Sequence, residues 1–209
     1  MRTPHQPVRL TVALTAAALL AGGGAATAGP VADAAFGANP VVTTTTITDP
    51  RDTPGPLDIV SVRHVARDRQ ATATLRYTVT MDQPFEPTDL HRRHRHVVAE
   101  LDTDGQPGAE RNITIYHRDG ALRADLISNA TRKVISVLHV RHLDGRRLRV
   151  RGSREHVGAR KIFWYSRYHG LGRKPCGWRD GYPVICQDVA PDSGWVHLPR
   201  GFWPPDANH

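Results

Sequence analysis

Two groups of carboxylates stand out as side chains able to do chemistry together. Asp49, Asp52 and Asp58 fall within one short stretch that Pro50, Pro54 and Pro56 keep out of regular structure. Asp102 and Asp104 fall in Glu100-Leu101-Asp102-Thr103-Asp104-Gly105. There, a period-2 pattern puts Val97, Ala99 and Leu101 on a core face and Glu100, Asp102 and Asp104 on the opposite one, before Gly105 turns the chain. Ca²⁺ takes six to eight hard oxygen ligands, so carboxylates from two loops with backbone carbonyls would suit it. Asp49, Asp52, Asp58, Asp102 and Asp104 are therefore the candidate Ca²⁺ ligands, and the role such an ion would have is to hold loops together. A true EF-hand is excluded, because its twelfth position would be Arg111 where a bidentate Glu is required. The competing reading is that these acids cap turns and pair with the abundant arginines.

A second constellation is His91-Arg92-Arg93-His94-Arg95-His96. Imidazoles at this spacing suit Zn²⁺, Cu²⁺ or Ni²⁺, but three interleaved arginines repel a cation. An exposed basic loop, with Arg92, Arg93 and Arg95 meeting a polyanion, fits better, and it would grow more cationic below pH 6. No G-x-S-x-G, H-E-x-x-H or phosphate-cradling glycine loop occurs in the chain. Ser166 and His169 have no orienting acid at a fixed spacing. A hydrolase using Asp58, Asp102 or Asp104 stays open as an alternative to a binding protein. Of the aromatic residues, Trp178 and Trp195 sit in late, loop-rich sequence. They are candidate sugar platforms, or else loop residues packed over the fold.

The elements that would position these residues are strands. Ala71, Ala73, Leu75, Tyr77, Val79 and Met81 alternate with Thr72, Thr74, Arg76, Thr78 and Thr80, the pattern of an antiparallel half-buried strand. Leu57 to Val65 precedes it, and Val97 to Asp102 follows. Arg111 to His117 pairs with Ala121 to Ile127 around Asp119-Gly120. Lys133 to His139 pairs with Arg147 to Arg151 around Asp144-Gly145. Ile162 to Tyr168 is strand-like, and the sequence after Gly170 reads as ordered loops. No segment sustains a helical period. The expected fold is an all-β antiparallel sandwich, jelly-roll-like, with a loop-rich tail clipped by a disulfide.

The ends of the chain and its composition set the compartment. Arg2 and Arg9 flank the start of an apolar run, Leu10 to Leu20, and Ala26-Thr27-Ala28 follows as a cleavage signal. The run is far short of the roughly 20 residues a membrane span needs. The chain thus divides into a signal peptide (1–28), an extended leader (29–48) with an edge strand near Val41 to Ile47, and one domain (49–209). Ala32-Asp33-Ala34 is a second cleavage candidate. Cleavage after Ala28 leaves 181 of the 209 residues, and removing Arg2 and Arg9 lowers the net charge from +8 to +6. Such a field suits anionic cell-wall polymers or lipid headgroups, with nucleic acid the least expected, and the competing reading is solubility from scattered charge. In an oxidising compartment Cys176 and Cys186, the two cysteines of the chain, should pair across the Asp180-Gly181 turn. A loop of that size contributes about 2–3 kcal/mol.

Asp49-Pro50-Arg51-Asp52, then Pro56-Leu57-Asp58-Ile59, a hairpin, and Leu101-Asp102-Thr103-Asp104-Gly105 form an order of signals that resembles secreted proteins of actinomycetes. These are themselves similar to DOMON-like and family-9-like carbohydrate-binding β-sandwiches. Asp144-Gly145-Arg146-Arg147-Leu148-Arg149-Val150 and Asp188-Val189-Ala190-Pro191-Asp192 fit the end of the same pattern. The resemblance covers about Asp49 to Asp192 and implies a jelly-roll-like binding module, often with bound calcium. The expectation is a secreted module for extracellular carbohydrate or a cell-envelope polymer. Its alternatives are a hydrolase and a protein docking its Arg/His loop on an anionic surface.

Overall fold

The computed structural model describes residues 41–53, 55–68, 73–91, 95–169, 178–179, 182–183 and 185–205. The segments 1–28 and 29–40, and with them the signal peptide and both cleavage candidates, lie outside the described residues. The strands run β1 (Val41–Thr48), β2 (Ile59–Asp68), β3 (Thr74–Met81), β4 (Arg95–Asp102), β5 (Arg111–Arg118), β6 (Ala121–Ser128), β7 (Val134–Asp144), β8 (Arg147–Ser153) and β9 (Lys161–His169). Short strands β10 (Trp178–Arg179) and β11 (Tyr182–Pro183) precede β12 (Ile185–Ala190) and β13 (Val196–His197). One helical turn, α1 (Arg154–Val157), follows β8, and 3₁₀ turns occupy Pro87–Asp89 and Arg200–Phe202.

All the pairings between these strands are antiparallel, as the alternating sequence predicts. A sandwich would divide them between two sheets. Here the ladders continue without a break through β1-β2-β3-β8-β7-β6-β5-β4-β9-β12, with β13 added beside β9. The strand that carries the sheet round is β7, which is 11 residues long. Its first half pairs with β6 and its second half with β8. Register shifts at Leu126/Ile127 and His142/Asp144 sharpen the bend, as bulges do. The result is one strongly curled, nearly barrel-like sheet.

The core lies inside the curl. Ile59, Val62, Leu75, Tyr77, Val79 and Met81 meet Val97, Ala99, Leu101, Ile113, Ile115, Ile162 and Trp164, all fully buried. At its centre His64 is buried too, with its Nε2 accepting the Trp164 Nε1–H at 3.1 Å. The β5–β6 turn is made by Asp119 (φ 53) and Gly120 (φ 75), two left-handed residues as a tight primed turn requires.

The edge strand expected near Val41 to Ile47 is present as β1, paired along its whole length with β2. The tail differs from the sequence reading. The tail is not only loop, because β12 pairs with β9 from Ile185 to Ala190. β10 and β11 pair Trp178 with Pro183 and Arg179 with Tyr182, in line with the turn expected between the cysteines. Cys176 lies outside the described residues. Cys186 is buried, and no free cysteine occurs among those described.

Candidate functional site

The proline-broken stretch before β2 cannot hydrogen-bond as a strand, so its backbone is tied down by side chains from the far end of the sheet. Ser166 Oγ in β9 donates to the Leu57 carbonyl at 2.6 Å, and Asp188 Oδ2 in β12 accepts the Ile59 N–H at 2.6 Å. Asp188 Oδ1 also accepts the Thr53 hydroxyl at 3.3 Å. These bonds bring Asp188 and Asp192 to Asp49, Asp52 and Asp58. Carboxylate oxygens of Asp49, Asp52 and Asp192 lie within 4.8 Å of one another, and so do those of Asp52, Asp58 and Asp188. Asp52 belongs to both groups, so five carboxylates converge around it.

Little neutralises them. Among the described residues none of the five is ion-paired, and the nearby Arg51 is taken by Asp82 at 2.8 Å. The backbone meets part of the demand, with the Thr53 N–H donating to Asp58 Oδ1 at 3.4 Å and the Asp192 N–H to Asp49 Oδ1 at 3.2 Å. Asp49 is 8% exposed, and its Oδ2 is buried with no partner. A buried acceptor of this kind carries a desolvation cost unless something occupies it. Burial, reinforced by Asp188, pushes the Asp49 carboxyl up to about 7. Burial, with Asp58 and Asp52 beside it, pushes Asp188 up to about 6. Asp58 and Asp192 are raised as well, both chiefly by burial and then by Asp52. Hard-oxygen donors from two chain segments, with Asp49, Asp58 and Asp188 buried, Asp52 and Asp192 exposed and none of the five ion-paired, suit Ca²⁺.

Asp102 and Asp104 do not join this centre. Asp102 faces Lys161 on β9, while Asp188 faces Ser166, five positions and about 17 Å further along that strand. Asp102 and Asp104 group instead with Glu110. There both oxygens of Asp102 and one each of Asp104 and Glu110 are already engaged. Asp102 pairs with Lys161 Nζ at 3.0 Å and accepts the Gly105 N–H at 2.6 Å. Asp104 accepts the Gln106 N–H at 2.8 Å, and Glu110 the Thr103 N–H at 2.6 Å. The outward row expected along β4 is also corrected, since Asp102 is 1% exposed. A wet face was inferred from alternation alone, whereas Lys161 of the neighbouring strand lies over the strand end. This second group is a capped turn.

Arg92, Arg93 and His94 lie outside the described residues. Arg95, expected as an exposed polyanion contact, is turned inward. Its side chain is 11% exposed, stands 3.9 Å from Asp89 and lies over the Tyr168 ring at 5.3 Å. The side chain of Trp178 lies outside the described residues. Trp195 is half-exposed and meets Phe163 edge-on at 4.7 Å, and Phe163 stacks on Tyr165 at 5.9 Å. Polar groups surround this trio. Tyr165 donates its hydroxyl to Glu100 Oε1 at 3.4 Å, Asn129 Nδ2 donates to Glu100 Oε2 at 3.0 Å, and Arg167 lies over Tyr165 at 5.4 Å and reaches Gln187.

Comparison adds no relative. No family model matches the chain, and no curated protein or solved structure matches it. The site residues that the ligand set lacked at the sequence level are Asp188 and Asp192. Their only signal there is two acids bracketing Pro191 in sequence that reads as loop. No helix among the described residues is long and apolar enough to cross a membrane.

Proposed function

We infer that the protein is an exported binding module for an extracellular, sugar-containing polymer, with its curled sheet held closed by Ca²⁺. The observation that carries this reading is the half-exposed trio Phe163, Tyr165 and Trp195, bordered by Glu100, Asn129, Arg167 and Gln187. Aromatic faces offer an apolar surface to the C–H side of a sugar ring, while the surrounding acid, amides and guanidinium meet its hydroxyls. The resemblance to carbohydrate-binding β-sandwiches supports the same assignment, and the signal-peptide pattern of residues 1–28 supports export. The five-carboxylate centre belongs to this reading as the fastener between the loop before β2 and strand β12. A Cys176–Cys186 bridge completes it at the tail, and free-thiol titration with and without reductant tests that bridge.

Binding to an array of neutral and charged glycans tests the function. Retention of a neutral glycan, insensitive to NaCl and lost in Trp195→Ala or Phe163→Ala, is the expected result. Absence of any retained glycan, or retention unchanged in both variants, overturns it.

A further inference from the structure

The outer side of β1, β2, β3, β8 and β7 carries a field of arginine that neither the calcium centre nor the aromatic trio uses. The pairing register puts Thr46, Arg63, Thr78, Arg149 and Arg141 in one cross-strand row. The adjacent outer row is Thr44, Val65, Arg76, Arg151 and His139, and Arg67 lies next to it on β2. Between these rows the alternate residues, among them His64, Tyr77 and Val150, point into the core. Arg63, Arg67, Arg141 and Arg151 are exposed, and Arg76 and Arg149 are half-buried.

No carboxylate stands in either row. Among the described residues none of the six arginines is ion-paired, and the acids at the ends of β2 and β7, Asp68 and Asp144, are engaged by Arg154 and Arg147. Arg76 is directly opposite Arg151, and Arg149 directly opposite Arg141. Like charges so placed oppose sheet formation. Burial holds the Arg76 guanidinium below its ordinary range, and Arg67, Arg149, Arg151 and Arg63 hold it lower still. A field of this kind gains from an anion that neutralises several of its members at once.

We propose that this arginine face docks a flexible extracellular polymer of base-free polyol units joined by phosphodiesters. Neighbouring arginines stand about 5 Å apart across strands and about 7 Å apart along them, so a chain with one charge every few ångströms can engage several in succession. The guanidinium fork fits phosphate oxygens in pairs. The interleaved hydroxyls of Thr44, Thr46 and Thr78 supply further donors from adjacent strands. Diverging phosphate oxygens can use these, whereas a planar carboxylate is satisfied by one fork. Neither row contains Phe, Tyr or Trp, so the face lacks the large aromatic platforms on which nucleic-acid bases stack. The proposal is independent of the aromatic trio.

Fluorescence anisotropy with labelled poly(glycerol phosphate) and the full exported chain tests it, in 50 and 200 mM NaCl. Saturable binding that weakens steeply with salt is expected. The pair Arg149→Gln/Arg151→Gln should weaken it about tenfold or more and lower the slope of log affinity against log salt by about one to two, since fewer counterions are released. Arg118→Gln, on the β5–β6 hairpin beside Asp119, should leave it unchanged. As a control on folding, Arg76→Gln without polymer should melt no lower than the parent, because it removes a repelled charge. Polymer should raise the melting temperature of the parent but not of the double variant. No saturable binding at 50 mM, an unchanged salt slope in the double variant, or equal affinity for polygalacturonate or single-stranded DNA would each overturn the assignment.

Discussion

Asp188 accepts the backbone N–H of Ile59 at 2.6 Å, although 129 positions of chain separate them. The bond joins the last long strand to the second and places a carboxylate beside Asp58 and Thr53. Asp188→Ala leaves the fully buried Ile59 N–H unpaired, at a cost of about 1–3 kcal/mol. Asp188→Asn keeps an acceptor and removes only charge. In EDTA its stability at pH 8 should equal or exceed that of the parent, while calorimetric Ca²⁺ affinity falls about tenfold or more. A parent protein that takes up no Ca²⁺ would remove the metal centre from this account.

The raised carboxyls make the calcium effect depend on pH. A carboxyl raised in the folded state contributes stability fully below its unfolded value, 3.8, and loses it as pH rises through the folded value, about 6 for Asp188 and about 7 for Asp49. Metal-free protein should therefore lose this share between about pH 4 and 7. Ca²⁺ should restore it, because it binds the ionised form. The difference in melting temperature between Ca²⁺ and EDTA should be near zero at pH 4.5 and several degrees at pH 8. A difference that does not change with pH would contradict the assignment of these two carboxyls.

His64 acts in the opposite direction and needs no metal. Burial pushes its imidazole down to about 3, so its contribution is complete above the unfolded value of 6.5 and drains away as pH falls from there towards 3. In His64→Phe the Trp164 N–H loses its acceptor, at a cost of about 1–3 kcal/mol near pH 8. The acid-side slope of stability should flatten, read by urea denaturation between pH 4 and 7. Using both this variant and the calcium difference separates the two titrations.

The Asp102–Lys161 pair is structural. Lys161→Met would leave the buried Asp102 carboxylate without its cation, at a cost of about 3 kcal/mol. Adding Asp102→Asn should recover much of that loss in denaturant melts. Neither change, nor Asp104→Asn, should alter Ca²⁺ affinity, because these oxygens lie outside the five-carboxylate centre.

Much of the architecture was legible because it rests on local patterns. Leu75, Tyr77, Val79 and Met81 alternate with polar residues and are all fully buried. Asp119-Gly120 makes the turn its type requires. The edge strand near Val41 to Ile47 is legible as well, although a half-exposed edge strand lacks a strong apolar row. β12 was hidden in the tail, where Gly, Pro and Trp dominate the composition.

Local pattern is enough to identify β1 to β9 and the chemistry each of them carries, but not β12. Period-2 alternation and turn residues act between neighbours in the chain. Which side chains meet depends on the folded sheet, because register is set by packing across strands. It moved Asp102 from a solvated row to a buried ion pair with Lys161. It drew Asp188 and Asp192 to Asp49, Asp52 and Asp58, and it lined up arginines from four strands on one face. Five acids or six arginines scattered along a chain carry no information about their separations. The closure of the sheet, through bonds such as Asp188 to Ile59, is what turns them into sites.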